Sequence, residues 1–267
     1  PKRKNCVYTN QMTYRHWLTS LLLFFTTPLL RGQDLENSFR IIFAGDLMQH
    51  SEQLAAAYNE ATGTYEYDEC FQYIQPILSQ GDLTIGNLET TLAGTEKSQY
   101  RGWPRFNSPD AFAATLKRAG FDVLVTANNH AADHFAHGIN RTIDALDSLE
   151  ITHVGTYKNE EDRKARYPLV YEKDGFRVGI LAYTDLLNIL PVPAPYIINR
   201  SFENQIKADL EEVKGMDVDF TLVYMHWGDE YKIRPSASQR SLAAFCYDHG
   251  ADFVIGTHPH VVQPIEK

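Results

Sequence analysis

The sequence predicts an α/β fold in which a sheet is covered by helices on both faces. Short apolar runs of strand length alternate with longer helical patterns along most of the chain. The strand runs are continuously apolar, as at residues 123–126, which is typical of strands buried on both faces. The 267 residues are 43% hydrophobic and 12% aromatic, enough for one large core or at most two small ones.

The elements follow from these patterns. Strands are expected at residues 39–45, 83–86, 123–126, 152–155, 169–172, 177–183, 220–225 and 252–256. Helices are expected at residues 52–59, 67–78, 109–119, 138–149, 202–213 and 236–249. Pro109 falls in the first turn of its helix, which its fixed φ favours. Asp174 and Gly175 lie between two strand runs and predict a hairpin turn. A further strand-like run begins at residues 261–265.

The N-terminal region is typical of a secretory signal peptide. The first methionine is Met12, and a short basic start is followed by an apolar run at residues 17–30. We therefore interpret residues 12–33 as a signal peptide, residues 1–11 as an upstream non-native segment, and residues 38–267 as the folded domain. A buried N-terminal helix is the alternative. The signal peptide predicts an extracytoplasmic protein, periplasmic or at the cell surface.

The charge distribution excludes one class of partner. Five of the 25 basic residues and none of the 34 acidic residues lie in residues 1–33, which leaves a net charge of −14 for the remainder. A domain this acidic repels phosphates, so no nucleic-acid partner is expected. Cys70 and Cys246 either pair in an oxidising compartment or remain buried thiols, the second being the simpler expectation.

Five predicted strands end in side chains that bind metals. The residues concerned are Asp46, Asn87 and Glu89, Asn128 with Asn129 and His130, His226, and His258 with His260. Each group alone has an ordinary structural explanation, such as a helix cap, a turn or a buried histidine. Ligands of α/β sheets bind at the carboxyl ends of strands, so the recurrence predicts a common site. Carboxylate, amide and imidazole ligands together suit one or two divalent metals: Mn, Fe, Zn or Ca.

Several of these segments also resemble a known family. They are GDLMQH (45–50), GNLETTLAG (86–94), the run from Gly120 to Thr156 that contains VLVTANNH, YMHWGDEY (224–231) and GADFVIGTHPHVVQPIE (250–266). In this order they resemble the CapA, or poly-γ-glutamate synthesis, proteins of bacterial capsule formation, over residues 40–266. More distantly they resemble the calcineurin-like metallophosphoesterases.

The resemblance implies a four-layer α/β/β/α sandwich of the metallophosphoesterase type with a two-metal site. The implied metal ligands are Asp46, Glu89, Asn129, His226, His258 and His260. His130 corresponds to the catalytic imidazole, and Asp133 either orients it or caps a helix. Arg105 and Asn128 are expected to contact substrate, although Arg105 also fits an ordinary packed loop.

Two departures from the family patterns affect these expectations. The superfamily's first motif is Asp-x-His, whereas Met48 stands third here, and a thioether is a poor ligand for hard metals. The bridging acid is Glu89, where the superfamily has aspartate. A closing strand with a Ser-Leu-Gly-Asn-Phe-like motif is missing after the second histidine of His-Pro-His, so we expect the natural protein to continue beyond Lys267.

Three functions remain open from the sequence. The first is an exported, metal-dependent hydrolase of polymer amide, peptide amide or phosphoester bonds, with His130 protonating the leaving group. The second is a non-catalytic part of a capsule-export or anchoring assembly that holds an anionic polymer through bound cations. The third is an amino-acid epimerase on the same scaffold, with His130 and Glu89 as acid and base. Fold alone does not choose among them.

Overall fold

The computed structural model describes residues 38–267. In chain order the elements are β1 (Ile41–Leu47), α1 (Ser51–Ala57), β2 (Tyr58–Asn59), β3 (Thr64–Tyr65), α2 (Asp68–Phe71), α3 (Gln75–Leu78), β4 (Leu83–Leu88), α4 (Asp110–Ala119), β5 (Val123–Val125), α5 (Phe135–Ser148), β6 (Thr152–Val154), β7 (Thr156–Tyr157), α6 (Glu160–Arg166), β8 (Leu169–Lys173), β9 (Phe176–Thr184), β10 (Ile197–Ile198), α7 (Glu203–Lys214), β11 (Phe220–His226), α8 (Ala237–Asp248) and β12 (Phe253–Thr257). The upstream segment and signal peptide predicted for residues 1–33 lie outside the described residues.

Two four-stranded sheets form the centre of the domain. The first has the order β1-β4-β5-β6, and all its neighbours are parallel. The second has the order β12-β11-β9-β8, in which β12, β11 and β9 are parallel. Strand β8 runs antiparallel to β9, to which the predicted Asp174–Gly175 turn connects it. No helix within residues 38–267 has both the length and the apolar character needed to cross a membrane.

The two sheets face each other across a shared core. Alternate residues of the first sheet, such as Ile85 and Val123, pack in one cluster with Val178 and Leu222 of the second. The intervening residue Leu124 packs instead with buried side chains of α4 and α5. This alternation is the period-2 pattern of a strand, and it gives the first sheet two differently covered faces. The α/β class predicted from the sequence is confirmed, but the prediction of a sheet with helices on both faces is wrong, because one face of the first sheet packs on the second sheet.

Each of the eight predicted strands overlaps an observed one, but other elements differ from the prediction, including the two-residue strands β2, β3, β7 and β10, which were not predicted. The helix predicted at residues 67–78 is two short helices, α2 and α3. Pro76 explains the break, since it has no N–H to continue a helix from the preceding turn. The strand-like run at residues 261–265 forms no strand. The charged helix α6 was not predicted, because it has no buried residue to produce an apolar period.

A hydrogen bond between the sheets provides a test of this packing. The hydroxyl of Tyr224, which is fully buried on β11, donates to the carbonyl of Ala44 on β1. Tyr224→Phe leaves that carbonyl without its partner, and we expect the free energy of unfolding to fall by about 1–3 kcal/mol. Urea denaturation measures it, with Tyr73→Phe as control because Tyr73 is 86% exposed. Equal stability of the two variants would contradict this account of the packing.

Candidate metal centre

The carboxyl ends of strands from both sheets meet at one place. Asp46 lies near the end of β1, Glu89 directly follows β4, His226 is the last residue of β11, and His258 directly follows β12. Asp46 Oδ1 lies 3.8 Å from His226 Nδ1, and Asp46 Oδ2 accepts a 3.2 Å hydrogen bond from the His258 backbone N–H. The strand ends that the sequence predicts to meet therefore do meet.

An irregularity in β1 orients Asp46. Phe43 pairs with Ile85 and Asp46 with Asn87, so two residues of β1 lie opposite Gly86 alone. Such a bulge turns the following side chain and is common beside functional sites. Beyond it, Asn87 donates a 2.8 Å hydrogen bond to Asp46 Oδ1. The side chain of Asp46 is thus fixed by its neighbour in the sheet.

Six side chains form three overlapping groups of three. Within each group, the possible ligand atoms all lie within 4.8 Å of one another. The groups are Glu89–His226–His258, Asp46–Glu89–His260 and Glu230–His258–His260. Glu89 is common to the first two groups, which is the place that the sequence resemblance implies for a bridging acid. Five of the six predicted metal ligands belong to these groups.

Burial sets the charge of the two carboxyl groups in opposite directions. Glu89 is 1% exposed, and burial together with the nearby charge of Asp46 raises its pKa to about 10. Burial also opposes the ionisation of Asp46, but the hydrogen bond from His260 and the charge of His226 outweigh it and hold its pKa below the ordinary value. One carboxylate is therefore charged at neutral pH while its neighbour carries a proton.

The pKa values of the three imidazoles are also shifted in opposite directions. Burial lowers the pKa of His226 well below its usual value and also lowers that of His258. The hydrogen bond between His260 Nδ1 and Asp46 Oδ2, 2.9 Å long, raises the pKa of His260. His226 and His258 are neutral at pH 7, the form in which imidazole binds metals.

Two buried atoms of the cluster lack hydrogen-bond partners among residues 38–267. They are Glu89 Oε2 and His258 Nδ1. Buried polar atoms nearly always have hydrogen-bond partners. These two atoms have none and lie beside neutral imidazoles and a carboxylate, which indicates a bound ligand. Oxygen and imidazole nitrogen donors at this spacing fit a divalent transition metal. The residues present therefore fit the metal that the sequence resemblance implies.

A histidine–aspartate pair adjoins the cluster. His130 Nδ1 lies 2.7 Å from Asp133 Oδ2, and the same oxygen accepts a 2.7 Å hydrogen bond from the backbone N–H of Phe106. The Phe106 ring stands edge-on to the imidazole with its centroid 4.6 Å away. These contacts hold the ring of His130 in one orientation. Asp133 contacts His130 directly, and the residue at the helix cap is His134.

Two asparagines that follow β5 contact residues of the site. Asn129 Oδ1 lies 2.9 Å from His226 Nε2, so the predicted ligand Asn129 touches another member of the site. The fully buried Asn128 donates to Asn87 and to the Leu88 carbonyl, and accepts from the His130 backbone N–H. These hydrogen bonds hold the Asn128 side chain in place, and its contact with substrate stays a prediction.

Arg105 lies on the exposed rim of the site. Its guanidinium carbon is 5.2 Å from the centroid of the Phe135 ring. Arg105 is joined to the site through its neighbour Phe106, which contacts both His130 and Asp133. Its contact with substrate stays a prediction.

Two residues of the site were missed in the sequence. Glu230 lies four residues after His226 in YMHWGDEY and had no strand end to mark it. Asn188 lies in the loop between β9 and β10, where no sequence motif indicated a site residue, yet its amide nitrogen lies 3.4 Å from both ring nitrogens of His130. Cys70, expected to be a buried thiol, is exposed, whereas Cys246 is buried, and neither forms a disulfide.

The family can now be assigned. Residues 40–267 match the family described as bacterial capsule synthesis protein PGA_cap. The chain belongs to this family. Among curated relatives, it is 31% identical over 216 residues to the capsule biosynthesis protein CapA of Bacillus anthracis, covering 78% of this chain and 52% of the relative. It is 30% identical over 232 residues to the PGA biosynthesis protein CapA of Bacillus subtilis, covering 84% and 58%.

The chain therefore spans about half the length of these two relatives. Among solved structures, the carboxyl transferase domain of Rhizobium etli pyruvate carboxylase matches 83% of this chain and 40% of its own, with 12% identity and a TM-score of 0.29. That likeness carries no weight for the fold or the site.

Proposed function

We propose that this domain is a metal-dependent hydrolase of amide or phosphoester bonds in an anionic polymer of capsule synthesis. The observation that carries the proposal is the convergence of two buried carboxyl groups and three imidazoles beside an oriented His130–Asp133 pair. Membership of the PGA_cap family supports the class of polymer, and poly-γ-glutamate is the first candidate.

The proposal includes the finer fold assignment, a four-layer sandwich of the metallophosphoesterase type. Its support is the pair of facing sheets, with α4 and α5 outside the first and α7 packed on β9 of the second. At Gly179 of β9 an added Cβ would lie 2.8 Å from Val213 of α7, so helix and sheet are in close contact.

Two parts of the site share the proposed chemistry: the cluster of metal ligands and the His130–Asp133 pair. One or two divalent metals would be held among Asp46, Glu89, His226, His258 and His260, and would supply positive charge that polarises an oxygen of the scissile group. His130 Nε2, which is free to take up a proton because Nδ1 faces Asp133, would accept the proton released by the attacking water and pass it to the leaving group. Asp133 fixes the tautomer and holds the ring in place.

The experiment is a cleavage assay with two substrates. The full-length protein is incubated with a γ-linked glutamate oligomer and with bis(p-nitrophenyl) phosphate, each with Mn²⁺ and with a chelator. We expect shortened oligomer by mass spectrometry or released nitrophenolate, with Mn²⁺ only, and loss of the product in Asp46→Asn. The proposal fails if neither substrate is cut while the protein retains bound cations.

A second candidate is cation-dependent holding of the polymer in an export or anchoring assembly. The observation in its favour is the net charge of −14 after residue 33, because an acidic protein needs bridging cations to hold a polyanion. This candidate predicts sedimentation of the oligomer with the protein in the presence of Mn²⁺ and no change in oligomer length. Export to the cell surface is part of both proposals.

A further inference from the structure

We propose that Glu230, with His258 and His260, forms an outer cation subsite that supplements the inner one built on Asp46 and Glu89. The inference rests on the proposed function and extends it, since it assigns a ligand that the sequence motifs did not mark. Glu230 is exposed and belongs to one of the three groups, whereas Glu89 belongs to the other two. The outer subsite therefore faces solvent, where a substrate arrives.

Backbone contacts hold Glu230 beside the two histidines. In the loop after β11, the Tyr231 N–H donates a 2.8 Å hydrogen bond to the carbonyl of Pro259, between His258 and His260. Gly228, at the start of the loop, has φ +90°, and an added Cβ would lie 2.6 Å from the Gln239 side chain. The loop therefore has little freedom to carry Glu230 away from the histidines.

The histidine loop itself has the features of a binding site. His258 and His260 have φ of 93° and 55°, in the left-handed region that side chains other than glycine rarely adopt. Such backbone conformations are concentrated at ligand-binding sites. His258 is 5% exposed, and its buried Nδ1 has no hydrogen-bond partner among the described residues. An unpaired buried nitrogen on a histidine that is grouped with Glu230 and His260 indicates a ligand at this end of the cluster.

The donor set of the outer group suits a divalent cation. Glu230 supplies a carboxylate oxygen from the loop after β11. Together with two imidazoles it gives three protein ligands, the number at which a cation keeps positions open for substrate.

The test is a titration of the chelator-treated, full-length protein with Mn²⁺ alone. Calorimetry and electron paramagnetic resonance measure the number of Mn²⁺ ions bound and their affinities. We expect two Mn²⁺ per chain in the wild type. In Glu230→Gln the second Mn²⁺ binds at least about 10-fold more weakly, as for loss of a supporting metal-site group. The control is Asp229→Asn, which removes the same charge one residue away, at another exposed position. This variant should still bind two Mn²⁺ ions with the affinity of the wild type. Melting temperatures verify that both variants fold.

The outcomes separate this inference from the proposed function. Two Mn²⁺ ions with wild-type affinity in Glu230→Gln would overturn the outer subsite and leave the hydrolase proposal standing. A single Mn²⁺ in the wild type would also overturn the outer subsite. Wild-type protein that binds no Mn²⁺ would overturn both.

Discussion

Replacing His130 with alanine is expected to lower turnover by about 10²- to 10⁴-fold, the usual contribution of a positioned general acid. The metal content should not change, because His130 belongs to none of the three ligand groups. The measurement is the initial rate of cleavage of whichever substrate the wild type cuts, with elemental analysis of the same sample. Catalysis and metal binding are thereby separated in one variant.

Two further variants make the His130 result specific. His249→Ala removes an imidazole at the end of α8, where it bonds the Phe245 carbonyl, and should keep the wild-type rate. Asp133→Asn keeps the size of the side chain but removes the charge that faces Nδ1, so its rate should also fall while metal is retained. A His130→Ala protein with unchanged turnover would exclude the proton-donor role.

Glu89→Gln is expected to have opposite effects on metal affinity and on the stability of the metal-free protein. A glutamine lacks the carboxylate shared by two ligand groups, so we expect the affinity for Mn²⁺ to fall by at least about 100-fold, the upper end for groups that only support ligands. In the metal-free protein, however, the glutamine removes a carboxyl group that burial disfavours in its charged form.

The sign of the stability effect follows from the pKa of Glu89. It rises from 4.5 to about 10 on folding, so the neutral form is favoured in the folded state. The stability that Glu89 contributes to the folded state is fully present below pH 4.5 and is lost as the pH rises toward 10. At pH 8 the metal-free variant should therefore melt at a higher temperature than the wild type, with the difference vanishing near pH 4.

Thermal melts of chelator-treated protein at pH 4 and pH 8 measure this difference. Glu211→Gln serves as the control, since Glu211 is exposed on α7 and its replacement should leave the melting temperature nearly unchanged at both pH values. A metal-free Glu89→Gln protein that is less stable than the wild type at pH 8 would show that Glu89 is charged and paired in the fold.

Most of the ligand cluster was predictable because strand geometry places it. Apolar runs mark the strands, and parallel strands bring the residues after them to one edge of a sheet. Asp46, Glu89, His226 and His258 were each found by that rule. The rule applies within each sheet, and only the structure shows that the two sheets bring their carboxyl ends to the same place.

What the sequence could not provide depends on contacts between distant loops. Glu230 reaches the cluster because its loop bonds to Pro259, and a single exposed glutamate after a turn has no pattern that reports this. Asn188 reaches His130 from a loop 58 residues away. The burial of Asn128 likewise depends on Asn87 in the neighbouring strand, so its exclusion from the surface was not visible in the NNH motif.

The most direct test of the account is the number of metal ions per chain in full-length protein that has never been exposed to a chelator. Elemental analysis by inductively coupled plasma mass spectrometry measures it. The account predicts about two transition-metal ions per chain, reduced in Asp46→Asn and Glu89→Gln and unchanged in His249→Ala. Protein that carries no transition metal and takes none up from Mn²⁺ would contradict the metal centre and the hydrolase proposal built on it.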